Sequence, residues 1–431
     1  MQFATYRIRK ETGNGCNRLF DATDNNGKQN MKSISIAGHR DGLIHVLEVV
    51  GNAGQGGMES YIENFIAHLP ANKFKLTCIC PYESPFTASL RQLGVKDIYI
   101  TPIADDPAWR SIQLTVEVAR LHQIDVLHAH MPKAHILAGL AGCLIHKPVV
   151  ATVHGMNVSS QELGITRAVG SHLITNCQEG YTQALAMGVT ADRVSLFRNG
   201  VDTTVFTPDR SGDELRNKIN VPRGTPLVGF VGRLEHEKGP DLFLRAIDQV
   251  HQARPDVHFV IVGDGVMRNK LKEMCAHLQL DKQVHFVGWC TNTVDIYPAL
   301  DFLVHTSRSD GTSLVLLEAM SCGCPTVGLA VGGVPEIIEN ERTGFLAGAG
   351  DWEGIAFRII QLLDQPDRLQ SMKTAARNRV KQHFDVGTNS RRIAELMSRI
   401  ALPGVNGHAF ANDSTITQER DSRASLNNLK G

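Results

Sequence analysis

From Leu43 onward, short apolar runs alternate with longer stretches in which apolar residues recur at helical spacing. Leu43–Val50, Phe74–Cys80, Asp97–Ile100, Val126–Ala129, Val149–Val153, Leu173–Thr175 and Val194–Leu196 read as strands. Between them, Met58–Leu69, Pro85–Leu93, Ala108–His122 and Lys133–Ile145 read as helices. A second cycle starts at Leu227. Its strands are Leu227–Val231, His258–Val262, Val284–Val287, Phe302–His305 and Thr326–Leu329. Its helices are Pro240–Ala253, Val266–Leu278, Thr291–Leu300, Ser313–Cys322, Glu353–Leu363 and Pro366–His383, and a last helix runs from about Val386 to Ile400. Repeated strand–helix–strand order predicts an α/β chain of two Rossmann-like, doubly wound parallel-sheet domains facing across a cleft.

The pattern divides the chain into five parts. Residues 1–41 are an irregular, polar extension expected to be disordered, and 403–431 a tail of the same kind. Residues 42–203 and 204–385 form the two domains, and 386–402 a helix expected to pack back on the first. The connection Asn199–Thr225 carries Gly, Asp, Thr and Pro, and the hinge is expected near Asn199–Val205. With 431 residues the chain has room for both domains.

Composition removes several classes. Lys plus Arg and Asp plus Glu each number 44, so no general electrostatic attraction to nucleic acid exists. No run approaches the roughly 18 apolar residues of a membrane span. The first residues lack the apolar core of a signal peptide. Nine cysteines without a C-x-x-C pair read as reduced thiols, which predicts a cytoplasmic protein.

Polar motifs sit just after strands, where open parallel sheets bind ligands. Asp310-Gly-Thr-Ser313 follows a strand and opens a helix that carries Glu318, eight residues beyond Asp310. Helix-first amides attract anions, while carboxylates accept from hydroxyls. Phosphate on the first and hydroxyls on the second is the chemistry of a nucleotide sugar. Asp310 can equally serve an ordinary Asx turn. Glu318, in an apolar helix, needs a partner. Gly232-Arg233 and Lys238-Gly239 join a strand to the next helix, and Arg233 with Lys238 would grip a diphosphate. In the first domain, Gly54, Gly56 and Gly57 precede Glu59 in a strand-to-helix loop. Such a loop serves a tight turn as readily as an anion, and Glu59 stands where a dinucleotide fingerprint has its third glycine. His128, His130 and His154 fall at neighbouring strand ends. Their spacing matches no trusted metal motif, so no metal is assigned. His130 is expected to orient or polarise a substrate hydroxyl, while for His128 a hydrogen-bonded structural role is as ready a reading as a functional one.

The ordered set Gly232-Arg233…Lys238-Gly239, Asp310…Glu318-Ala-Met-Ser-Cys-Gly-Cys-Pro and Gly332-Gly333-Val-Pro-Glu336 resembles the retaining glycosyltransferases of the GT-B fold, family 4, or group 1. The likeness runs from about Leu43 to Ile400. It implies an acceptor-binding first domain and a second domain that binds a UDP- or GDP-sugar. Arg233 and Lys238 would hold the diphosphate, Glu318 the ribose hydroxyls and Asp310 the transferred sugar. Gly56, Gly57 and the amides of Gly311, Thr312 and Ser313 would approach phosphate or sugar. His130 and His154 would line the sugar and acceptor pocket. Retention without a metal or other cofactor is implied, with a saccharide or lipid-linked acceptor in polysaccharide or glycoconjugate assembly. Peripheral association with the inner membrane face fits a lipid-linked acceptor, although Met58–Leu69 and Ala108–His122 lack a polybasic face. The chain departs from the family in having Asp310, not glutamate, and in Asp-Gly-Thr-Ser where Glu-Gly-Phe-Gly is common. Alternatives are a GT-B nucleotide-sugar epimerase, a non-catalytic nucleotide-sugar-binding protein and a nicotinamide-dependent oxidoreductase. The last leaves the second domain's motifs unused.

Overall fold

Parallel strands covered on both faces have to be apolar along their whole length. The computed structural model, which describes residues 42–402, contains two sheets built from such runs. The first comprises β1 (Ile44–Val50), β2 (Phe74–Cys80), β3 (Asp97–Ile100), β4 (Val126–His130), β5 (Val149–Val153), β6 (His172–Thr175) and β7 (Val194–Leu196). The second comprises β8 (Leu227–Val231), β9 (His258–Val262), β10 (Val284–Gly288), β11 (Phe302–His305), β12 (Thr326–Leu329) and β13 (Gly344–Ala347). Their orders are β3-β2-β1-β4-β5-β6-β7 and β10-β9-β8-β11-β12-β13, with all pairings parallel. Each order reverses beside its first strand, between β1 and β4 and between β8 and β11. Crevices in doubly wound sheets open at such points.

Local chemistry sets the helix starts. Proline stands in the first turn of Pro85–Gln92, Pro132–Ile145, Pro240–Ala253 and Pro366–His383, where its missing N–H costs nothing. Ser159 and Glu162 form a reciprocal capping box at the head of Ser160–Val169. That helix, with Gln178–Ala186 and Asp213–Lys218, falls in polar sequence where apolar periodicity is weak. The box was its legible signal. β13 is too short to stand out from its surroundings.

The helix expected over Thr291–Leu300 is not formed. Only a 3₁₀ turn, Tyr297–Ala299, is present. The Asn292 side chain accepts from the Val294 amide at 3.2 Å, a local turn that competes with helix initiation. The extension over 1–41 and the tail over 403–431 lie outside the described residues.

The chain leaves the second sheet through Pro366–His383 and then crosses to the first. Val201 and Asp385 pair as a parallel bridge, and Asn389 donates to the Arg198 carbonyl at 2.8 Å. Helix Val386–Ala401, capped by Asp385 through the Thr388 amide, packs against helix Gly57–Ala67 and β4. Its apolar stripe of Ile393, Leu396 and Met397 is buried. Met397→Ala should therefore cost about 2–5 kcal/mol through lost contacts and a residual cavity. Urea unfolding measures this, and an unchanged midpoint would mean that the stripe does not anchor the helix.

Candidate active site

The loop after β8 carries Arg233 and Lys238. Gly239, at φ 65°, turns the chain into the following helix. A side chain there would strike the Thr306 carbonyl, since its Cβ would lie 2.0 Å from that oxygen. The close approach of this loop to the one after β11 thus requires glycine. Arg308 locks the two loops together by a fork onto Asp241 at 2.8 and 2.7 Å, and its amide donates to the Glu237 carbonyl.

In this framework Lys238 Nζ donates to Asp310 Oδ2 at 3.0 Å, and His305 Nε2 lies 3.1 Å from the same oxygen. Burial alone would raise the Asp310 carboxyl, but hydrogen bonding from His305 and the nearby Lys238 charge outweigh it and hold it down at about 2. Arg233 is 44% exposed and pairs with Glu235 at 2.5 Å and with Glu237 at 3.7 Å. Such surface pairs contribute only about 0–1 kcal/mol. An anion offering two charge-assisted bonds would therefore displace them readily.

Glu318 stands on helix Leu314–Ser321. Tyr297 donates its hydroxyl to Oε2 at 2.5 Å, and Thr293 adds a longer bond of 3.4 Å. Burial pushes this carboxyl up to about 7, and the two hydroxyl bonds pull it back only in part. The failed helix over 291–300 has a consequence here: its irregular path delivers both hydroxyls to Glu318.

Across the cleft, Gly56 caps helix Gly57–Ala67, and Gly57 has open space where a side chain would stand. Glu59 shapes the loop by accepting from Asn52 at 3.0 Å and from the Gly54 amide at 3.1 Å. Burial raises the Glu59 carboxyl, and Arg233 of the opposite lobe is near enough to lower it in part. Arg233 is thus within electrostatic reach of the glycine loop.

The turn at Gly311 abuts the first lobe. A Cβ on Gly311 would lie 2.4 Å from Asn176 Oδ1. Asn176 Nδ2 holds the His154 carbonyl at 2.9 Å, so the turn and His154 are neighbours through one side chain. The Thr312 hydroxyl donates to the Asn176 carbonyl, and Asn199 donates to the Thr312 carbonyl at 2.7 Å. Ser313 caps the helix position without a side-chain bond. Glu336, from the Gly332-Gly333-Val-Pro-Glu segment, reaches Gln178 N at 2.7 Å and Arg198 Nε at 2.6 Å.

His130 is fully buried, behind the partly exposed His154. Its Nδ1 lies 3.0 Å from His154 Nε2 and its Nε2 lies 2.8 Å from Glu48. Glu48, His128 and His130 are close enough to one another to hold a metal ion. Their N–O separations of 2.8 to 3.1 Å are hydrogen bonds, and all three are fully buried.

The structure thus joins Lys238 to Asp310, brings Arg233 within electrostatic reach of Glu59 in the glycine loop and places the Gly311–Ser313 turn against the first lobe. It withdraws His130 from the surface and leaves His154 there. Sequence reasoning missed His305, Tyr297, Asn176, the Glu336–Arg198 pair and Glu48. Only Glu48 had a clear signal, as a carboxylate in the middle of an apolar strand.

Two family models match in tandem. Glycosyltransferase Family 4 covers residues 55–205 and Glycosyl transferases group 1 covers residues 211–379. The chain is 27% identical over 349 residues to the Escherichia coli UDP-Gal:alpha-D-GlcNAc-diphosphoundecaprenol alpha-1,3-galactosyltransferase, spanning 76% of this chain and 90% of that one. It is 25% identical to a Corynebacterium glutamicum GDP-mannose-dependent phosphatidylinositol monomannoside mannosyltransferase, over 79% of this chain and 94% of that one. In fold it is similar to Anabaena HepE, solved with UDP, at a TM-score of 0.73, with 23% identity, 82% of this chain covered and 100% of that chain.

The raised Glu318 carboxyl makes a testable statement about stability. Its contribution is fully present below 4.5, the ordinary glutamate value, and is lost as pH rises through about 7. Above that, the folded chain surrenders a proton that the unfolded chain lost earlier. Glu318→Gln cannot ionise, so it should melt above the native chain at about pH 8 and close to it at about pH 5. A melting difference independent of pH, read by scanning fluorimetry, would contradict the assignment.

Proposed function

Since this chain belongs to the group 1 glycosyltransferases of the GT-B fold, we propose that it moves a sugar, with retention and without a metal, from a UDP- or GDP-sugar to a saccharide or lipid-linked acceptor in glycoconjugate biosynthesis. The observation that carries the proposal is the convergence at the β8 and β11 strand ends. There Lys238 is held on Asp310, and Arg233 of the same loop lies within electrostatic reach of Glu59 in the glycine loop of the other lobe.

In this reading the diphosphate takes Lys238 and Arg233, and the first amides of helix Leu314–Ser321 add a positive end. Glu318 accepts from the ribose hydroxyls and Asp310 from a hydroxyl of the sugar. Gly56 and Gly57 let backbone amides approach the phosphates from the first lobe. His154 lines the sugar pocket, with His130 behind it.

The acceptor oxygen attacks the anomeric carbon on the face from which the diphosphate leaves. The carbon–oxygen bond to phosphate breaks, the new glycosidic bond forms and the acceptor proton passes to the departing phosphate oxygen. Negative charge that develops on the diphosphate is met by two side-chain cations, which supply stabilisation of the kind a metal gives elsewhere. A double displacement needs a free carboxylate beside the anomeric carbon. Glu48 is buried with both oxygens engaged, and Glu59 is committed to its own loop, which favours the single front-face step.

The relatives named above support a nucleotide-diphosphate donor and leave UDP and GDP in play. The lipid-linked acceptors in their names support the same acceptor class here. No helix among the described residues is long and apolar enough to cross a membrane, so a lipid-linked acceptor would be met at the bilayer surface.

Lys238→Ala should lower transfer by about two to three orders of magnitude while the fold persists, in line with loss of one charge-stabilising group. Release of nucleotide from a panel of UDP-, GDP- and ADP-sugars, with and without acceptor, measures it. Near-normal turnover in a folded variant would remove Lys238 from the site. Asp310→Glu should lose less activity than Asp310→Ala, because it keeps a carboxylate for the sugar hydroxyl. Equal losses in the two would argue against that contact.

A further inference from the structure

A carboxylate in the middle of a central strand, with no exposure, is the least expected residue in the first lobe. Glu48 accepts from two imidazoles. His128 Nδ1 reaches both of its oxygens, Oε1 at 3.1 Å and Oε2 at 2.9 Å, and His130 Nε2 lies 2.8 Å from Oε2 alone. Beyond His128, Nε2 meets the Thr152 hydroxyl at 2.8 Å. Beyond His130, Nδ1 meets His154 Nε2 at 3.0 Å. The line ends at the partly exposed ring of His154, whose backbone carbonyl accepts from Asn176, the residue against which Gly311 packs.

Proton counting then fixes every ring. A carboxylate only accepts, so His130 carries its proton on Nε2. Burial lowers His130 to about 4 and His154 well below the ordinary histidine value, so both are neutral near pH 7. Neutral His130 therefore has a lone pair on Nδ1, and His154 must donate to it from Nε2. His154 is left with a lone pair on Nδ1. Glu48 stays ionised throughout: burial would raise it, but the two imidazoles outweigh burial and hold it at about 2.

We infer that Glu48 is a positioning residue for the sugar pocket: through His130 it fixes the orientation and tautomer of His154, so that a hydrogen-bond acceptor of set polarity stands beside the Gly311 turn for a substrate hydroxyl. This rests on the proposed function only for the identity of the hydroxyl. The chain of tautomers follows from the unliganded protein alone. The His128 arm has a different standing, because the Thr152 hydroxyl can turn to donate or accept. That arm tolerates reversal, whereas reversing His130 forces His154 to reverse with it.

The two arms predict opposite responses to two substitutions. In Glu48→Gln the amide offers one acceptor and one donor. His128 should reverse against Thr152, while His130 and His154 keep their tautomers. Turnover should then stay within about fivefold of native. In Glu48→Met neither imidazole is anchored. The turnover number should fall by about tenfold or more with the donor KM within about twofold, the mark of lost orientation rather than lost donor binding. Thermal melting checks that both variants fold.

Long-range proton–nitrogen spectra of histidine-labelled protein, free of substrate, read the tautomers directly. The native chain should show Nε2–H at His130 and His154 and Nδ1–H at His128. Glu48→Gln should change His128 alone. Nδ1–H at His130 in the native chain, native turnover in folded Glu48→Met, or a stoichiometric metal ion in the purified protein would each overturn the inference. If Glu48→Met does not fold, the native and Glu48→Gln spectra decide. If no donor is turned over by the native chain, the proposed function fails while the tautomer test stands on its own.

Discussion

The Gly311 turn carries the arrangement, because it packs directly against the first lobe. It can do so only without a side chain, since Asn176 fills the space where a Cβ would stand. The same turn holds Asp310 against Lys238 on one side and starts the Glu318 helix on the other. Thr312 is tied to the first lobe through both its hydroxyl and its carbonyl. A bulkier turn would part the lobes and separate Arg233 and Lys238 from the first lobe's glycine loop. The unusual Asp-Gly-Thr-Ser run is thus suited to its neighbours, with Thr312 making contacts that phenylalanine at that position would not make.

The two acids of the site differ in a way that their sequence spacing hides. Asp310 is close to a lysine and a histidine and is held ionised. Glu318 has only neutral hydroxyl partners and is raised to about 7. One carboxylate is stabilised by charge and the other is left short of donors. A pair of vicinal hydroxyls, such as the proposed ribose offers, would supply what Glu318 lacks. His305 Nε2 and Lys238 Nζ both lie close to the same Asp310 oxygen.

Much of the architecture was legible, because parallel strands between helical layers leave a continuous apolar signature that little else produces. Both sheets could be placed from it, and the motifs at their strand ends followed. Legibility failed where side chains act over distance. His305, Tyr297 and Asn176 look like ordinary strand or loop residues, and only the fold sets them beside Asp310, Glu318 and Gly311. The stretch around Asn292 deceived for another reason: its local hydrogen bond defeats a helix that propensity would allow. His130 was noticed as chemistry-bearing, yet alternation along a strand says which face a residue takes and not whether another ring covers it. Burial behind His154 was beyond a one-dimensional pattern.

The central claim is that Arg233, Lys238 and the Gly311 turn surround one diphosphate, with Glu318 on the attached ribose. A crystal structure of the protein soaked with UDP- or GDP-sugar tests it most directly. The account predicts diphosphate oxygens on Lys238 Nζ and the Arg233 guanidinium, and ribose hydroxyls on Glu318. A nucleotide seated elsewhere, with Lys238 still closed on Asp310 and Glu318 still bonded only to Tyr297 and Thr293, would contradict it.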